Sequence, residues 1–172
     1  MSVSGSCVRC RITDLHYPFI YTDVDMSEIP LISIVDDDSL AREGICELVD
    51  SLGYKGVTFE SANHFLQSGQ ILETTCLITD LQMPGLNGLE LQEALRSRGY
   101  QTPVIVITGY PNEKHRTRAF ANGAVGFLSK PFNEQCLIEC LNAAIDLRSS
   151  HARSRVAAHH PEITTAKTAS RR

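Results

Sequence analysis

The chain has 172 residues and a net charge of −4, and 42% of its residues are hydrophobic, which is typical of a globular domain with its own core. No apolar run approaches the roughly 18 residues of a membrane span, and the N-terminus lacks the basic and apolar stretches of a secretory signal, so we expect a cytoplasmic protein that does not enter membranes. Residues 30–147 carry a net charge of −7, which argues against a nucleic-acid-binding surface on this part of the chain.

The first segment, residues 1–29, shows no helical or strand period, and Pro30 marks its end. We predict that it is a flexible N-terminal extension. Cys7 and Cys10 form a C-x-x-C motif within it. A metal or redox site would need a second ligand pair, or a strand and a helix around the motif. Neither is present, so we interpret these two residues as free thiols.

From residue 30 onward, short apolar runs alternate five times with helical patterns, and no hairpin signal interrupts them. The runs are PLISIVDDD, GVTFE, CLITD, PVIVITG and AVGFLSK. The helical patterns that follow them are LAREGICELVDSLGY, SANHFLQSG, a helix from Asn87 to Gly99, PNEKHRTRAFANG and NEQCLIECLNAAIDL. This alternation predicts a doubly wound α/β domain with a parallel sheet and helices on both faces. The working site of such a domain lies at the carboxyl ends of its strands.

Functional groups follow four of the five predicted strands. The first strand ends in Asp36-Asp37-Asp38, the third in Asp80, the fourth in Thr108 and the fifth in Lys130. Carboxylates about 4 Å apart repel by roughly 4 kcal/mol at an effective dielectric constant near 20, so such a pocket takes up a proton or a cation. Mg²⁺ prefers oxygen ligands and phosphate oxygens, and an aspartate can form an acyl phosphate. The set therefore indicates a phosphoryl-transfer site with Asp80 as the nucleophile.

These motifs and their spacing give the chain a family resemblance. Residues 30–147 resemble the receiver domain of bacterial two-component response regulators, and are most similar to the receivers of FixJ-like transcription regulators. The resemblance rests on IVDDD at 34–38, TDLQMPGLNGLEL at 79–91, PVIVITG at 103–109 and GAVGFLSKPF at 123–132. It implies a flavodoxin-like (CheY-like) (βα)5 fold with a five-stranded parallel sheet in the order 2-1-3-4-5.

The resemblance also implies a role for individual residues. Asp80 is the expected phosphoacceptor, and Lys130 is expected to pair with the phosphoryl group. The Lys130–Pro131 peptide bond is expected to be cis. Thr108 is the expected switch hydroxyl. Phe127 occupies the aromatic switch position, although a plain core role remains open for it. The expected Mg²⁺ ligands are Asp36, Asp37, Asp80 and the main-chain carbonyl of Gln82.

The residues after the predicted domain suggest how it signals. Residues 148–172 carry six Lys or Arg against one Glu and have no apolar period, so we predict a disordered basic tail that is too short for the helix-turn-helix domain of FixJ-like regulators. We therefore expect a stand-alone receiver that is not an enzyme. Its expected partners are a sensor histidine kinase, a downstream protein, and a second copy bound through the 112–147 face.

Two other functions remain open from the sequence alone. The chain could be a transcription regulator that binds DNA through its tail, which has a net charge of +5, or through a partner, although we do not expect direct nucleic-acid binding. An aspartate-nucleophile phosphohydrolase of the haloacid dehalogenase type also uses an Asp at a strand end with Mg²⁺. Such an enzyme resembles receivers but needs a second Asp two residues on, where this chain has Gln82.

Overall fold

The computed structural model describes residues 29–157 of the chain, and the side chains of residues 29–150. Five strands alternate with five helices along this part. They are β1 (Leu31–Val35), α1 (Ser39–Ser51), β2 (Lys55–Phe59), α2 (Ala62–Gln67), β3 (Thr74–Asp80), α3 (Gly88–Ser97), β4 (Val104–Thr108), α4 (Glu113–Ala121), β5 (Ala124–Ser129) and α5 (Glu134–Ala157).

The strands form one parallel sheet in the order β2-β1-β3-β4-β5, so the predicted fold is confirmed. The central strands β1 and β4 are buried along their whole length, as expected for a sheet covered on both faces. Two hydrophobic clusters fill the two sides. One joins the sheet to α2, α3 and α4, and the other joins it to α1 and α5.

Short polar side chains begin four of the helices. Asp38, Ser61, Asn87 and Asn112 each accept hydrogen bonds from backbone N–H groups in the first turn of α1, α2, α3 and α4, respectively. Such caps satisfy donors that the helix itself leaves unpaired. Asn87 and Glu90 form a complete capping box at the start of α3, which fixes this helix directly after the loop that follows β3.

The strand register brings the predicted site residues to one edge of the sheet. Val35 of β1 lies beside Thr79 of β3, so Asp36 and Asp80 follow at the same level of neighbouring strands. Thr108 of β4 lies beside Ser129 of β5, directly before Lys130. We call this end of the sheet the carboxyl edge and the opposite end, where the strands begin, the amino edge.

The end of α5 differs from the prediction. The receiver was expected to stop at residue 147, with a disordered tail from 148, but α5 continues to Ala157. Residues 148–157 contain neither Gly nor Pro and include Arg and Ala, which favour helix, so the lack of an apolar period here did not mean disorder. The predicted extension with Cys7 and Cys10, and the tail from 158, lie outside the described residues. No helix in the described part is long and apolar enough to cross a membrane.

Candidate functional site

Lys130 joins the two buried carboxylates at the carboxyl edge. Its Nζ lies 2.7 Å from Oδ2 of Asp36 and 2.8 Å from Oδ1 of Asp80. The side chains of Asp36 and Asp80 are only 3% and 6% exposed, respectively. One ammonium thus serves two carboxylates, which leaves a net charge of −1 in a largely buried place. A further cation would be attracted to this group.

Backbone N–H groups fix the orientation of both carboxylates. Oδ1 of Asp36 accepts the N–H of Asp38 at 2.9 Å, and Oδ2 of Asp80 accepts the N–H of Gln82 at 2.6 Å. Each aspartate therefore offers one oxygen to Lys130 and the other to the chain two residues further on. An oxygen of a carboxylate can accept more than one hydrogen bond, so both side chains keep capacity for another ligand.

The charges in the site shift the pKa values of Asp80 and Lys130. Burial raises the pKa of Asp80, and the nearby charge of Asp36 adds to this rise, whereas Lys130 and the Gln82 N–H act against it. For Lys130, burial lowers the pKa, but its contacts with Asp36 and Asp80 outweigh that effect and the pKa is raised. The ammonium is therefore firmly protonated, while the charged form of Asp80 is disfavoured in the folded protein.

The two expected switch residues are both buried. Thr108 is fully buried at the end of β4; its hydroxyl accepts the N–H of Tyr110 at 3.1 Å, and its carbonyl accepts the N–H of Lys130 at 2.8 Å. Phe127 is buried in the cluster with α2, α3 and α4. The Lys130–Pro131 peptide bond is cis, as expected.

The predicted magnesium ligands are only partly brought together. Asp36 and Asp80 converge, and Asp37 beside them is exposed; the ligand expected from Gln82 is its main-chain carbonyl, two residues after Asp80. Among the described residues, no group of three or more His, Cys, Asp or Glu is placed to hold a metal ion. The buried pair supplies the hard oxygen donors that Mg²⁺ prefers and carries an uncompensated negative charge, so its chemistry fits this ion.

Two residues at the site were missed by the sequence analysis. Gly88 begins α3, and a Cβ there would lie 2.3 Å from the backbone oxygen of Asp80, so only glycine lets the helix approach this strand end. A Gly directly after the capping Asn87 was the available signal. Arg42 of α1 donates from Nη1 to the backbone oxygen of Asp36; nothing in the local pattern distinguished it from other surface arginines.

Comparison with known proteins gives a consistent answer. Residues 32–142 match the family model described as the response regulator receiver domain. The chain is 35% identical over 128 residues to "Transcriptional regulatory protein FixJ" of Azorhizobium caulinodans, covering 74% of this chain and 61% of that protein. It is 39% identical over 116 residues to "Nodulation protein W" of Bradyrhizobium diazoefficiens, covering 67% and 51%. The chain thus spans between half and about three fifths of these two relatives.

Solved structures share the fold. "Response Regulator StyR" superimposes with a TM-score of 0.71 at 34% identity, over 76% of this chain and 66% of that one. The structure named FixJ-N gives a TM-score of 0.63 at 30% identity, over 70% and 96%. Chemotaxis protein CheY4 of Vibrio cholerae gives 0.63 at 27% identity, over 68% and 99%. The last two therefore correspond almost entirely to the domain described for this chain.

Proposed function

The chain belongs to the response regulator receiver domain family, and we propose that its Asp80 accepts a phosphoryl group from a sensor histidine kinase in the cytoplasm. The observation that carries this proposal is the contact of one ammonium, Lys130, with two buried carboxylates at neighbouring strand ends. A purely structural ion pair would need one carboxylate. The second carboxylate leaves an uncompensated negative charge, which would attract the cation that accompanies a phosphoryl group.

The chemistry assigns a role to each group. An oxygen of Asp80 attacks the phosphorus, the bond from phosphorus to the kinase histidine nitrogen breaks, and an acyl phosphate forms while the histidine regains a proton. Lys130 would neutralise a phosphoryl oxygen, and its Nζ already lies 2.8 Å from Oδ1 of Asp80. The Gln82 N–H holds the second oxygen of Asp80, so the carboxylate does not have to be reoriented before it reacts.

Mg²⁺ is the proposed cofactor of the transfer. Asp36, Asp37, Asp80 and the backbone carbonyl of Gln82 would hold it, and the ion would screen the negative charges of the pocket and the phosphoryl group. Asp36 and Asp80 are buried beside each other already, whereas Asp37 is exposed at the mouth of the strand end and keeps its freedom to move. We therefore expect a site that is completed when the ion binds.

The proposed output is a change in the surface next to the phosphorylated residue. Thr108 would move towards the phosphoryl group and Phe127 would follow, which shifts an existing equilibrium between two arrangements of the domain. The 112–147 face, which includes α4, β5 and the first part of α5, would then bind a downstream protein or a second copy of the chain. Thr108 and Phe127 lie on the adjacent strands β4 and β5, and Phe127 belongs to the same hydrophobic cluster as Ala119 of α4.

Intact mass after incubation with acetyl phosphate and Mg²⁺ tests the acceptor. One added phosphoryl group is expected in the unmodified chain and none in Asp80→Asn. Asp146→Asn is the matched control, because Asp146 is an exposed aspartate on α5 and should leave the adduct unchanged. EDTA should greatly reduce the adduct. If Asp80→Asn still gains the group, or the unmodified chain does not, the proposed acceptor is wrong. If the acceptor is confirmed, a phosphotransfer profile against the host's histidine kinases would identify the donor.

A further inference from the structure

Three large apolar side chains are exposed at the amino edge, far from the proposed phosphorylation site. Ile29 precedes β1 and is 68% exposed, and Leu72 precedes β3 and is 71% exposed. Leu147 of α5 is 44% exposed. Arg148, the next residue, donates a hydrogen bond to the backbone oxygen of Leu72 at 3.0 Å, so Leu72 and Leu147 belong to the same part of the surface.

A cavity of about 390 Å³ opens at the same edge. It lies between the end of α3, the residues that lead into β4 and β5, and α5. Its apolar wall includes Leu95, Tyr100, Val104, Val125 and Leu147. Cavities of this size and lining typically hold an apolar ligand or side chains of a bound peptide, and the exposed leucines extend the apolar surface beyond the cavity.

Cationic side chains surround this apolar surface. Arg96 lines the cavity, Arg98 is the exposed C-cap of α3 two residues further on, and Arg148 follows Leu147. Two exposed carboxylates also lie next to this surface, those of Asp146 before Leu147 and Glu73 after Leu72, so the three arginines leave it with a small excess of positive charge. The surface therefore fits a segment that combines apolar or aromatic side chains with several acids.

We propose that residues 12–28 of this same chain dock on the amino edge and fill this cavity. Their sequence, ITDLHYPFIYTDVDMSE, contains four acids and no Lys or Arg. It also contains Tyr17, Phe19 and Tyr21, which are large side chains for an apolar cavity. This composition matches the cationic rim and the apolar wall.

The connection to β1 makes this docking possible within one molecule. The segment joins the described part of the chain at Ile29, which is already at the amino edge, because the oxygen of Pro30 accepts the N–H of Lys55 at the start of β2. Ten extended residues reach about 33 Å, whereas β1 and β5 are three strand spacings apart, roughly 14 Å. Residues 17–21 can therefore reach the cavity, at a high effective concentration.

The other end of the chain does not fit the same surface. Residues 158–172 carry Lys167, Arg171 and Arg172 against Glu162 and contain no Phe, Tyr or Trp. Their positive charge would be repelled by Arg96, Arg98 and Arg148. The N-terminal segment is therefore the part of this chain with the matching chemistry, and its docking does not depend on the proposed phosphorylation.

Hydrogen exchange of the full chain, followed by mass spectrometry, tests the docking. In the unmodified protein, amides of residues 12–28 and of residues 99–104 should exchange roughly tenfold more slowly than in Leu147→Glu. The same loss of protection at 99–104 should follow from the double variant F19S/I20S, which changes only the segment. Leu40→Glu is the matched control: Leu40 is 78% exposed at the start of α1, near the carboxyl edge, so its replacement should change neither region.

Each other outcome overturns the proposal. Exchange of residues 12–28 at the rate of an unstructured peptide would show that the segment is not docked. Equal protection of 99–104 in the unmodified chain and in F19S/I20S would show that something else covers the cavity. Protection that increases with protein concentration would identify a second copy of the chain as the occupant.

Discussion

Replacing Lys130 by Met removes the ammonium that two buried carboxylates share. The two Nζ contacts of 2.7 and 2.8 Å limit the separation of the facing Asp36 and Asp80 oxygens to at most about 5.5 Å. At that separation two unit charges repel by roughly 3 kcal/mol with an effective dielectric constant near 20. We expect Lys130→Met to lower the free energy of unfolding by about this amount at pH 7.5 without divalent ions.

The loss should depend on pH. Lys130 acts to lower the pKa of Asp80, so its removal raises this pKa further above the value in the unfolded chain. A carboxyl group whose pKa is raised by folding destabilises the folded state once the pH exceeds its unfolded pKa of about 3.9, and the penalty is complete above its folded pKa. The difference between Lys130→Met and the unmodified chain should therefore be largest at pH 7.5 and shrink towards pH 4.

Urea unfolding followed by circular dichroism measures these free energies. Lys114→Met is the matched control, since Lys114 is exposed on α4 and its loss should change stability by less than about 0.5 kcal/mol. The double variant D36N/K130M should regain most of the loss, because one of the two charges is gone. A loss below about 0.5 kcal/mol, or an equal loss at pH 7.5 and pH 4, would refute the electrostatic reasoning.

Three further substitutions test the packing and charge of the site. Gly88→Ala should lower the free energy of unfolding by about 1–3 kcal/mol, because its Cβ would collide with the Asp80 backbone. Its control is Gly44→Ala in α1, where a Cβ has open space; this change should raise the free energy of unfolding by about 0.5–1 kcal/mol. A loss of equal size in both variants would contradict the reasoning. Asp80→Asn should stabilise the fold at pH 7.5 and not at pH 3, because burial raises the pKa of Asp80 and so penalises its charged form; calorimetry at both pH values decides. Phe127→Ala should cost about 3–5 kcal/mol in urea unfolding, because the ring lies in the core; a loss below 1 kcal/mol would mean that the ring is not a core element.

The fold could be predicted because its signals are local. Apolar runs of strand length, helical periods and capping residues such as Ser61 and Asn87 each act over a few neighbours, and together they determine the alternation of strands and helices. The alternation places Asp36 and Asp80 at the carboxyl ends of parallel strands. That these two strands are neighbours depends on the strand order, which the family resemblance implied and local signals did not.

The contacts that the sequence did not predict depend on exact packing. Arg42 reaches the backbone oxygen of Asp36 from the first turns of α1. Gly88 is required because a Cβ at this position would collide with the backbone oxygen of Asp80, a clash that arises only once α3 has packed. The end of α5 was misplaced for another reason. An apolar period reports which face of a helix is buried, so the polar residues 148–157 contained no such signal although they are helical.

The attachment of α4 explains why this helix suits the proposed output. Ala119 is its fully buried residue and Phe120 packs half-buried against the core, so only a few apolar side chains hold it to the sheet. Its last carbonyls instead accept hydrogen bonds from α3, where Gln92 donates to Ala119 and Arg96 donates to Ala121. Within the described residues, the side-chain oxygen of Gln92 is buried without a partner, which itself costs about 1–3 kcal/mol.

Such polar contacts are individually weak in water, so α4 can change its position at a smaller cost than the helices that contribute many core residues. It begins five residues after Thr108, at the same edge as Asp80. We therefore expect a small movement of Thr108 towards a phosphoryl group to act on a helix that few buried apolar side chains hold in place. The proposed chemistry at the strand ends would then reach the surface of the 112–147 face through α4, with a coupling free energy of about 1–3 kcal/mol, which is typical of such linkage.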